Sequence, residues 1–157
     1  MTALAPCLWP VEELLPHGKP MILLDEVLGL GDEAASAATT IRSDHPFLTA
    51  DGVPVHVGIE LMAQVCGIYA GANARKAGEP VRLGFLLGTR RFQAYDDWLR
   101  LGDRLDVQGV LTFRDDEMGV FDCRIIRGGE LVAEAQLSVF QPKDPDAVRT
   151  KLKGPHV

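Results

Sequence analysis

The chain has 157 residues, of which 46% are apolar and 24% charged, a composition typical of one globular domain with a sizeable core. The net charge of −6 disfavours nucleic-acid binding, and disorder is excluded because low hydrophobicity with a large charge excess is missing. The apolar stretches are interpreted as too short and too interrupted by charge to span a bilayer. The three cysteines fit neither a disulfide framework nor a zinc site, and the N-terminus does not resemble a signal peptide. We therefore expect a reduced, cytoplasmic protein that holds no metal.

The first third of the chain predicts one short helix, two strands and a loop. Prolines near its start and end favour a short helix over Trp9–Pro20. The apolar, β-prone runs Met21–Leu30 and Ala34–Ile41 predict strands on either side of a Gly-Asp turn. The segment Ser43–Val53 holds Pro, Asp and Gly residues and is predicted to be a loop.

The segment Val55–Arg75, which follows Pro54, predicts a long central helix. Apolar and small residues occupy nearly every face of this segment, so we expect a buried helix rather than an amphipathic surface helix. A glycine at position 78 and a proline at position 80 mark its end.

The second half of the chain predicts four strands in an antiparallel meander. These strands are Arg82–Tyr95, Arg104–Arg114, Met118–Arg127 and Glu130–Gln141. Tight joints at 115–117 and 128–129 have the length and residues that hairpins use. The whole pattern predicts an α+β domain over 1–142, in which an antiparallel six-stranded sheet wraps around one long helix, with a tail over 143–157.

A polar stripe interrupts the apolar central helix. His56, Glu60 and Gln64 are spaced four residues apart, so on an ideal helix they share one face with a drift of about 40° per step. A carboxylate on a buried helix costs several kcal/mol unless it is paired, neutralised or facing a cavity. Glu60 is therefore either a group for general acid–base catalysis or a structural anchor bonded to Gln64 or a loop. His56 either joins it or caps the helix.

Two further features lie near the start of this helix. His45, in the preceding loop, is too far along the chain to share a helical face with Glu60, but its loop can fold back over the helix. The backbone N–H groups of Val57 and Gly58 are expected to point outward at the helix N-terminus, where they can hold a carbonyl oxygen that becomes negative.

Three motifs resemble the 3-hydroxyacyl-[acyl-carrier-protein] dehydratases of fatty-acid synthesis. They are LPHGKPMILLD at 15–25, ELMAQ at 60–64, which is similar to the family's Glu-Ala-Met-Ala-Gln helix signature, and GDRL at 102–105. The segments VPVHVGIE at 53–60 and GFLLGTRR at 84–91 look more like the divergent dehydratase-like proteins of aryl-polyene gene clusters. The resemblance implies the hotdog fold for roughly residues 10–142.

The resemblance also implies roles for particular residues. Glu60 lies at the family's catalytic acid position and Gln64 at the motif glutamine. In the family the acid cooperates with a loop histidine across a dimer interface, and His45 has that topology, although the His-Phe-Pro-Gly pattern is absent. On geometry we rank His56 before His45 as the general base. His17 matches a family histidine outside the catalytic pair, for which we expect a structural role.

Arg90 and Arg91 form a second candidate site next to a predicted strand. They are either a solvated basic edge or a grip for the phosphate of a phosphopantetheine arm or for an acidic carrier protein. The chain has no phosphate-binding glycine loop, serine-hydrolase elbow or metal-spaced histidine pair, so we expect no cofactor.

The resemblance implies a 3-hydroxyacyl thioester dehydratase that forms trans-2-enoyl thioesters on acyl carrier protein, in fatty-acid or polyene-type biosynthesis. Two alternatives stay open, namely a hotdog acyl thioesterase and a non-catalytic subunit of a hotdog heterodimer. We expect an acyl carrier protein and a second hotdog subunit, identical or different, as partners, and neither nucleic acid nor a membrane.

Overall fold

A computed structural model describes residues 4–82 and 84–142. The predicted tail at 143–157 lies outside the described residues. The strands are β1 (Glu26–Leu30), β2 (Ala34–Thr40), β3 (Val53–Pro54), β4 (Phe85–Ala94), β5 (Trp98–Leu99), β6 (Arg104–Asp115), β7 (Met118–Arg127) and β8 (Glu130–Phe140). The helix α1 spans Gly58–Lys76, and single 3₁₀ turns cover Val11–Glu13 and Val55–Val57.

Six of these strands form one antiparallel sheet in the order β1-β2-β6-β7-β8-β4, and β3 pairs with β5 separately. The helix α1 packs against β2, β6, β7 and β8, which confirms the predicted sheet around one central helix. The predicted meander is wrong for β4. Because β2 occupies the free edge of β6 through pairs such as Ala35 with Gly109, β4 pairs with β8 instead.

The helix α1 buries one broad face and leaves a narrow stripe at half exposure. The buried face carries large apolar residues such as Leu61, Val65 and Ile68 at helical spacing. Small residues make up much of the stripe, including Ala63 and Gly67. Contrary to the sequence interpretation, the segment Val55–Lys76 is long and apolar enough to cross a membrane. The core helix of a globular protein can have the same length and hydropathy, and this helix packs against the sheet.

The N-terminal segment is packed across α1 and differs from its prediction. Only one 3₁₀ turn forms within Trp9–Pro20, and Leu14 and Leu15 anchor the following chain in the core. A Cβ atom at Gly71 would collide with the backbone carbonyl of Leu14, so glycine permits this close approach. The first predicted strand is also shorter than expected, because the Leu23 amide donates to a side chain of α1 rather than to a neighbouring strand.

A charged cluster ties the β5 region to the end of β7. Arg127 donates to Asp96 at 2.7 Å and to Asp103 at 2.8 Å, and Arg100 donates to Asp96 at 2.7 Å. Hydrogen bonds from Arg100, and then from Arg127, hold the pKa of Asp96 well below its usual range. The cluster therefore stabilises this end of the sheet only while Asp96 is ionised.

Candidate active site

A groove of about 560 Å³ runs along the half-exposed stripe of α1. Its lining includes Glu60 in the first turn of the helix and Asn73 near the end, which are separated by roughly 20 Å at 1.5 Å per residue. Apolar side chains of the sheet, among them Leu111 and Phe121, form the opposite wall. The groove thus has an apolar middle and a carboxylate at the N-terminal end of the helix.

Glu60 is held by the side chain of Gln64, one helical turn further along. The Gln64 Nε2 group donates to Glu60 Oε1 at 3.1 Å and to the Met21 carbonyl at 2.7 Å, while Gln64 Oε1 accepts from the Leu23 amide at 2.9 Å. Gln64 is itself only 1% exposed. This buried amide therefore fixes the carboxylate and joins the 21–23 segment to the helix.

The exposure of Glu60 differs from the sequence expectation of a buried carboxylate. Its side chain retains 38% of its accessible surface in the single chain. The reason is that α1 is not covered on all sides, and the uncovered stripe of the helix carries Glu60. The carboxylate consequently faces the groove and not the core.

The histidine that the structure brings to Glu60 is His17. Its Nε2 atom lies 3.7 Å from Glu60 Oε1, and both side chains line the groove. The family resemblance predicted a structural role for His17. No local sequence pattern shows this contact, because His17 is brought to Glu60 by a segment that the Gln64–Met21 hydrogen bond holds, between residues 43 positions apart.

His56 does not line this groove and is exposed. A face shared by His56 and Glu60 requires a regular α-helix from position 55, whereas residues 55–57 form a 3₁₀ turn. At three residues per turn instead of 3.6, His56 is displaced from Glu60 by roughly 80° around the axis rather than about 40°. The shared face therefore does not extend to His56.

His45 also lies outside the lining of the groove in the single chain. Its Nδ1 atom accepts a hydrogen bond from the Phe47 amide at 3.1 Å, and its Nε2 atom is buried without a hydrogen-bond partner among the described residues. Burial lowers the pKa of His45, against the opposing charges of Asp44 and Asp25. Since Nδ1 accepts this hydrogen bond, Nε2 is the ring nitrogen that carries the proton in the neutral form of the ring.

The predicted oxyanion donors differ from one another in their surroundings. The Gly58 amide already donates to carbonyl oxygens of the preceding 3₁₀ turn, those of His56 and Val55. A Cβ atom at Gly58 would also lie only 2.7 Å from Ile125, so this residue is packed tightly against β7. Val57 is half-buried, and its part in binding a substrate oxygen stays a prediction.

Arg90 and Arg91 are exposed on β4, at a bulge where Arg91 adopts a positive φ of 53°. Neither lines the groove of Glu60. Arg91 lines a smaller cavity of about 160 Å³ together with residues of the paired strands β7 and β8. The arginines of the main groove are Arg82, beyond the end of α1, and Arg114, near the β6–β7 turn. Arg82 lies close to the helix end in the sequence, whereas Arg114 is brought to the groove only by the fold of the sheet.

This antiparallel sheet around one long helix defines a hotdog-fold protein, and a glutamate lies in the groove along its helix. A family model described as ApeP-like, ApeP dehydratase, matches residues 9–150. The chain belongs to this ApeP-like dehydratase family.

Individual proteins agree with this assignment. The chain is 28% identical over 137 residues to a 3-hydroxyacyl-[acyl-carrier-protein] dehydratase FabZ of Campylobacter jejuni, which covers 83% of this chain and 93% of the relative. The FabZ of Agrobacterium fabrum is 29% identical, with 83% and 86% covered.

Solved structures give the same fold. A chain of the dehydratase heterocomplex ApeI:P from Xenorhabdus doucetiae superposes with a TM-score of 0.89 and 29% identity, covering 94% of this chain and all of that one. A hypothetical thioesterase with coenzyme A from Streptococcus pneumoniae superposes with a TM-score of 0.60, covering 74% of this chain and 84% of that one. At 17% identity the second match shows the fold alone.

Proposed function

We propose that the chain dehydrates 3-hydroxyacyl thioesters carried by acyl carrier protein to trans-2-enoyl thioesters, in fatty-acid or polyene-type biosynthesis. The observation that carries the proposal is the position of Glu60. Its carboxylate is fixed by a buried amide at one end of a long groove with an apolar middle, in a chain of a dehydratase family. The groove supplies room for an acyl chain, and the carboxyl supplies a proton.

The reaction needs an acid and a base next to two neighbouring carbon atoms. The thioester acidifies the hydrogen on the α-carbon, which a histidine removes, and Glu60 gives its proton to the departing hydroxyl group to form water. Helix N-terminal amides near Val57 stabilise negative charge on the thioester oxygen. These steps require no cofactor.

The carrier protein is proposed to dock against the exposed basic side chains of β4. Arg90 and Arg91 are exposed on β4 and can contact an acidic carrier helix or the phosphate of its phosphopantetheine arm. Since the chain has a net charge of −6, docking of an acidic partner requires such a local basic patch.

A second hotdog subunit, identical or different, is proposed to pair along β4. At the other edge of the sheet, Ala5 bonds to Leu30 and shields β1, whereas β4 has an unpaired edge among the described residues and exposes Leu86 and Leu87. Apolar residues on an open edge favour pairing with another strand. The similar ApeI:P structure is a dehydratase heterocomplex, which is consistent with a different hotdog protein as the partner.

The test of the proposed function is Glu60→Gln, which keeps the shape of the side chain and removes its proton. With a 3-hydroxyacyl carrier protein as substrate, we expect the rate of enoyl formation to fall by about 10²–10⁴-fold, the usual contribution of a general acid. Glu33→Gln, the same substitution at an exposed position between β1 and β2 that does not line the groove, is the matched control, and it should keep the wild-type rate.

Two other outcomes would contradict the proposal. If the wild-type chain releases free carrier thiol without forming an enoyl product, the protein is a thioesterase. If the wild-type chain is inactive alone and Glu60→Gln leaves the activity of its complex with a second hotdog protein unchanged, the chain is a non-catalytic subunit.

A further inference from the structure

We infer that Asn73 determines substrate specificity by binding a neutral hydrogen-bonding group at the far end of the acyl chain. The inference rests on the proposed dehydratase function and deepens it, because it names the class of acyl chain that the groove prefers. It starts from the place of Asn73 in the groove of Glu60, about 20 Å further along α1 at 1.5 Å per residue.

Between Glu60 and Asn73 the helix offers the groove almost no hydrogen-bonding groups. Apart from Tyr69, the residues of α1 that line this stretch are small or apolar, namely Ala63, Cys66, Gly67 and Ala70. The Tyr69 hydroxyl is already engaged, since it donates to the Asp32 carbonyl at 2.6 Å. An acyl chain along this stretch therefore meets hydrocarbon and reaches the next polar side chain of the helix at Asn73.

The side-chain amide of Asn73 is available to a ligand. Asn73 is half-buried, and its amide makes no hydrogen bond to any other residue that the structure describes. The amide carries two N–H donors and one carbonyl acceptor, so it can bind a hydroxyl group either as donor or as acceptor. Because half-buried polar groups are normally hydrogen-bonded, this amide bonds to water or to a molecule in the groove.

Helix stability does not account for an asparagine at this position. Asn73 lies inside α1, three residues before its end, where asparagine is a poorer helix former than alanine or leucine. Its side chain does not cap the helix, since the Ala77 amide donates to the backbone carbonyl of Asn73 at 3.1 Å. Asn73 is also the only asparagine in the chain. A residue that opposes the local helix preference is expected where its side chain serves binding.

The charged side chains at this end of the groove favour a neutral ligand group. Arg82 is paired with Glu79 at 3.2 Å. Arg114 lies near the end of β6, and Asp116 and Glu117 follow it in the turn to β7. Because both signs of charge line this end, a terminal carboxylate or ammonium group would face like charges. A hydroxyl group meets no such repulsion and can bind the Asn73 amide.

The proposed second subunit lies beside the groove, so the inference is tested on the assembled protein. Leu86, on the edge of β4 that is proposed for pairing, also lines the groove. If residues of the second subunit occupied the Asn73 amide, a substitution there would weaken assembly and not change substrate preference. The two roles therefore have different readouts.

The experiment compares two long substrates on the same carrier protein. They are the 3-hydroxyhexadecanoyl thioester and its derivative with a hydroxyl group on the terminal carbon, whose extended chains are about as long as the groove. We expect the wild type to prefer the hydroxyl-ended chain by about 2–10-fold in kcat/KM, the usual net value of one hydrogen bond. The preference should be in KM, since a contact far from the reacting atoms is the same before and in the transition state.

Asn73→Leu keeps the approximate size of the side chain and removes its donors and its acceptor. The ratio of the two kcat/KM values should fall to about one or below. The melting temperature should not fall, because leucine is the better helix former. Gln108→Leu, at a half-exposed amide on β6 that does not line the groove, is the matched control and should keep the wild-type preference. Asn73→Ala gives the same readout if leucine obstructs the groove.

Three results would overturn the inference and leave the proposed function standing. They are equal kcat/KM values for the two long substrates in the wild type, an unchanged preference in both Asn73 variants, and loss of the second subunit from these variants in light scattering. A wild-type protein that forms no enoyl product even from 3-hydroxybutanoyl carrier protein would instead reject the proposed function.

A binding measurement decides the inference without any turnover. Calorimetry compares the hexadecanoyl thioester of coenzyme A with the same thioester carrying a terminal hydroxyl group. Binding of the hydroxyl-ended thioester that is about 2–10-fold tighter in the wild type, but not in Asn73→Leu, supports the role of Asn73. Equal affinities of the wild type for the two thioesters would overturn it.

Discussion

Replacement of Gln64 by leucine should destabilise the fold as well as the site. The change keeps the approximate size of the side chain but removes its three hydrogen bonds, to Leu23, Met21 and Glu60. The Leu23 amide is on a residue only 5% exposed, and an unpaired buried donor costs about 1–3 kcal/mol. Loss of the hydrogen bond to the Met21 carbonyl adds about 0.5–1.5 kcal/mol, so we expect a total loss of about 1.5–4.5 kcal/mol.

Urea denaturation at one fixed protein concentration measures this loss as a lower midpoint with an unchanged slope. The matched control is Gln136→Leu on β8, whose amide donates to an exposed carboxylate, Asp122, and which should change stability by less than about 0.5 kcal/mol. Equal losses in the two variants would refute the argument that buried backbone groups depend on Gln64.

Two further predictions concern the packing and charge of the fold. Gly71→Ala should cost about 1–3 kcal/mol in thermal melting, since its Cβ meets a backbone carbonyl, whereas Gly88→Ala, with open space around it, should be close to neutral. Arg127→Ala should cost about 1–2 kcal/mol at pH 7, and Arg104→Ala, in an exposed pair, much less. Because the pKa of Asp96 is lowered in the fold, the stabilisation it gives is present above about pH 4 and is lost as pH falls towards the lowered value. Equilibrium unfolding between pH 7 and pH 3 should therefore show a smaller acid-induced loss in Arg127→Ala than in the wild type, and an equal loss would count against the ion cluster.

Local sequence pattern was enough for most of the secondary structure. The alternation and turn residues of the second half predicted β7 and β8 within one residue of their ends. The prediction failed where backbone groups bond to distant side chains. Residues 21–25 look like a strand, but the Leu23 amide is taken by Gln64, 41 residues away.

The position of β4 shows the same limit in the sheet. Its strand character was predicted from its own residues, whereas its neighbour was not. β2 and β4 compete for the open edge of β6, and this competition involves the whole sheet. Strand order is therefore a property of the tertiary structure, since alternation along a strand is the same whichever strand lies beside it.

The sequence by itself determined the carboxylate of the candidate site, because a glutamate and a glutamine on one face of an apolar helix require a cavity or a partner. It could not determine which histidine lies beside that carboxylate. The helical spacing favoured His56, but a 3₁₀ turn rotates it away, and His17 reaches Glu60 through a segment that is anchored across the fold. Helical periodicity fixes neighbours within one element, whereas contacts between elements depend on how the elements pack.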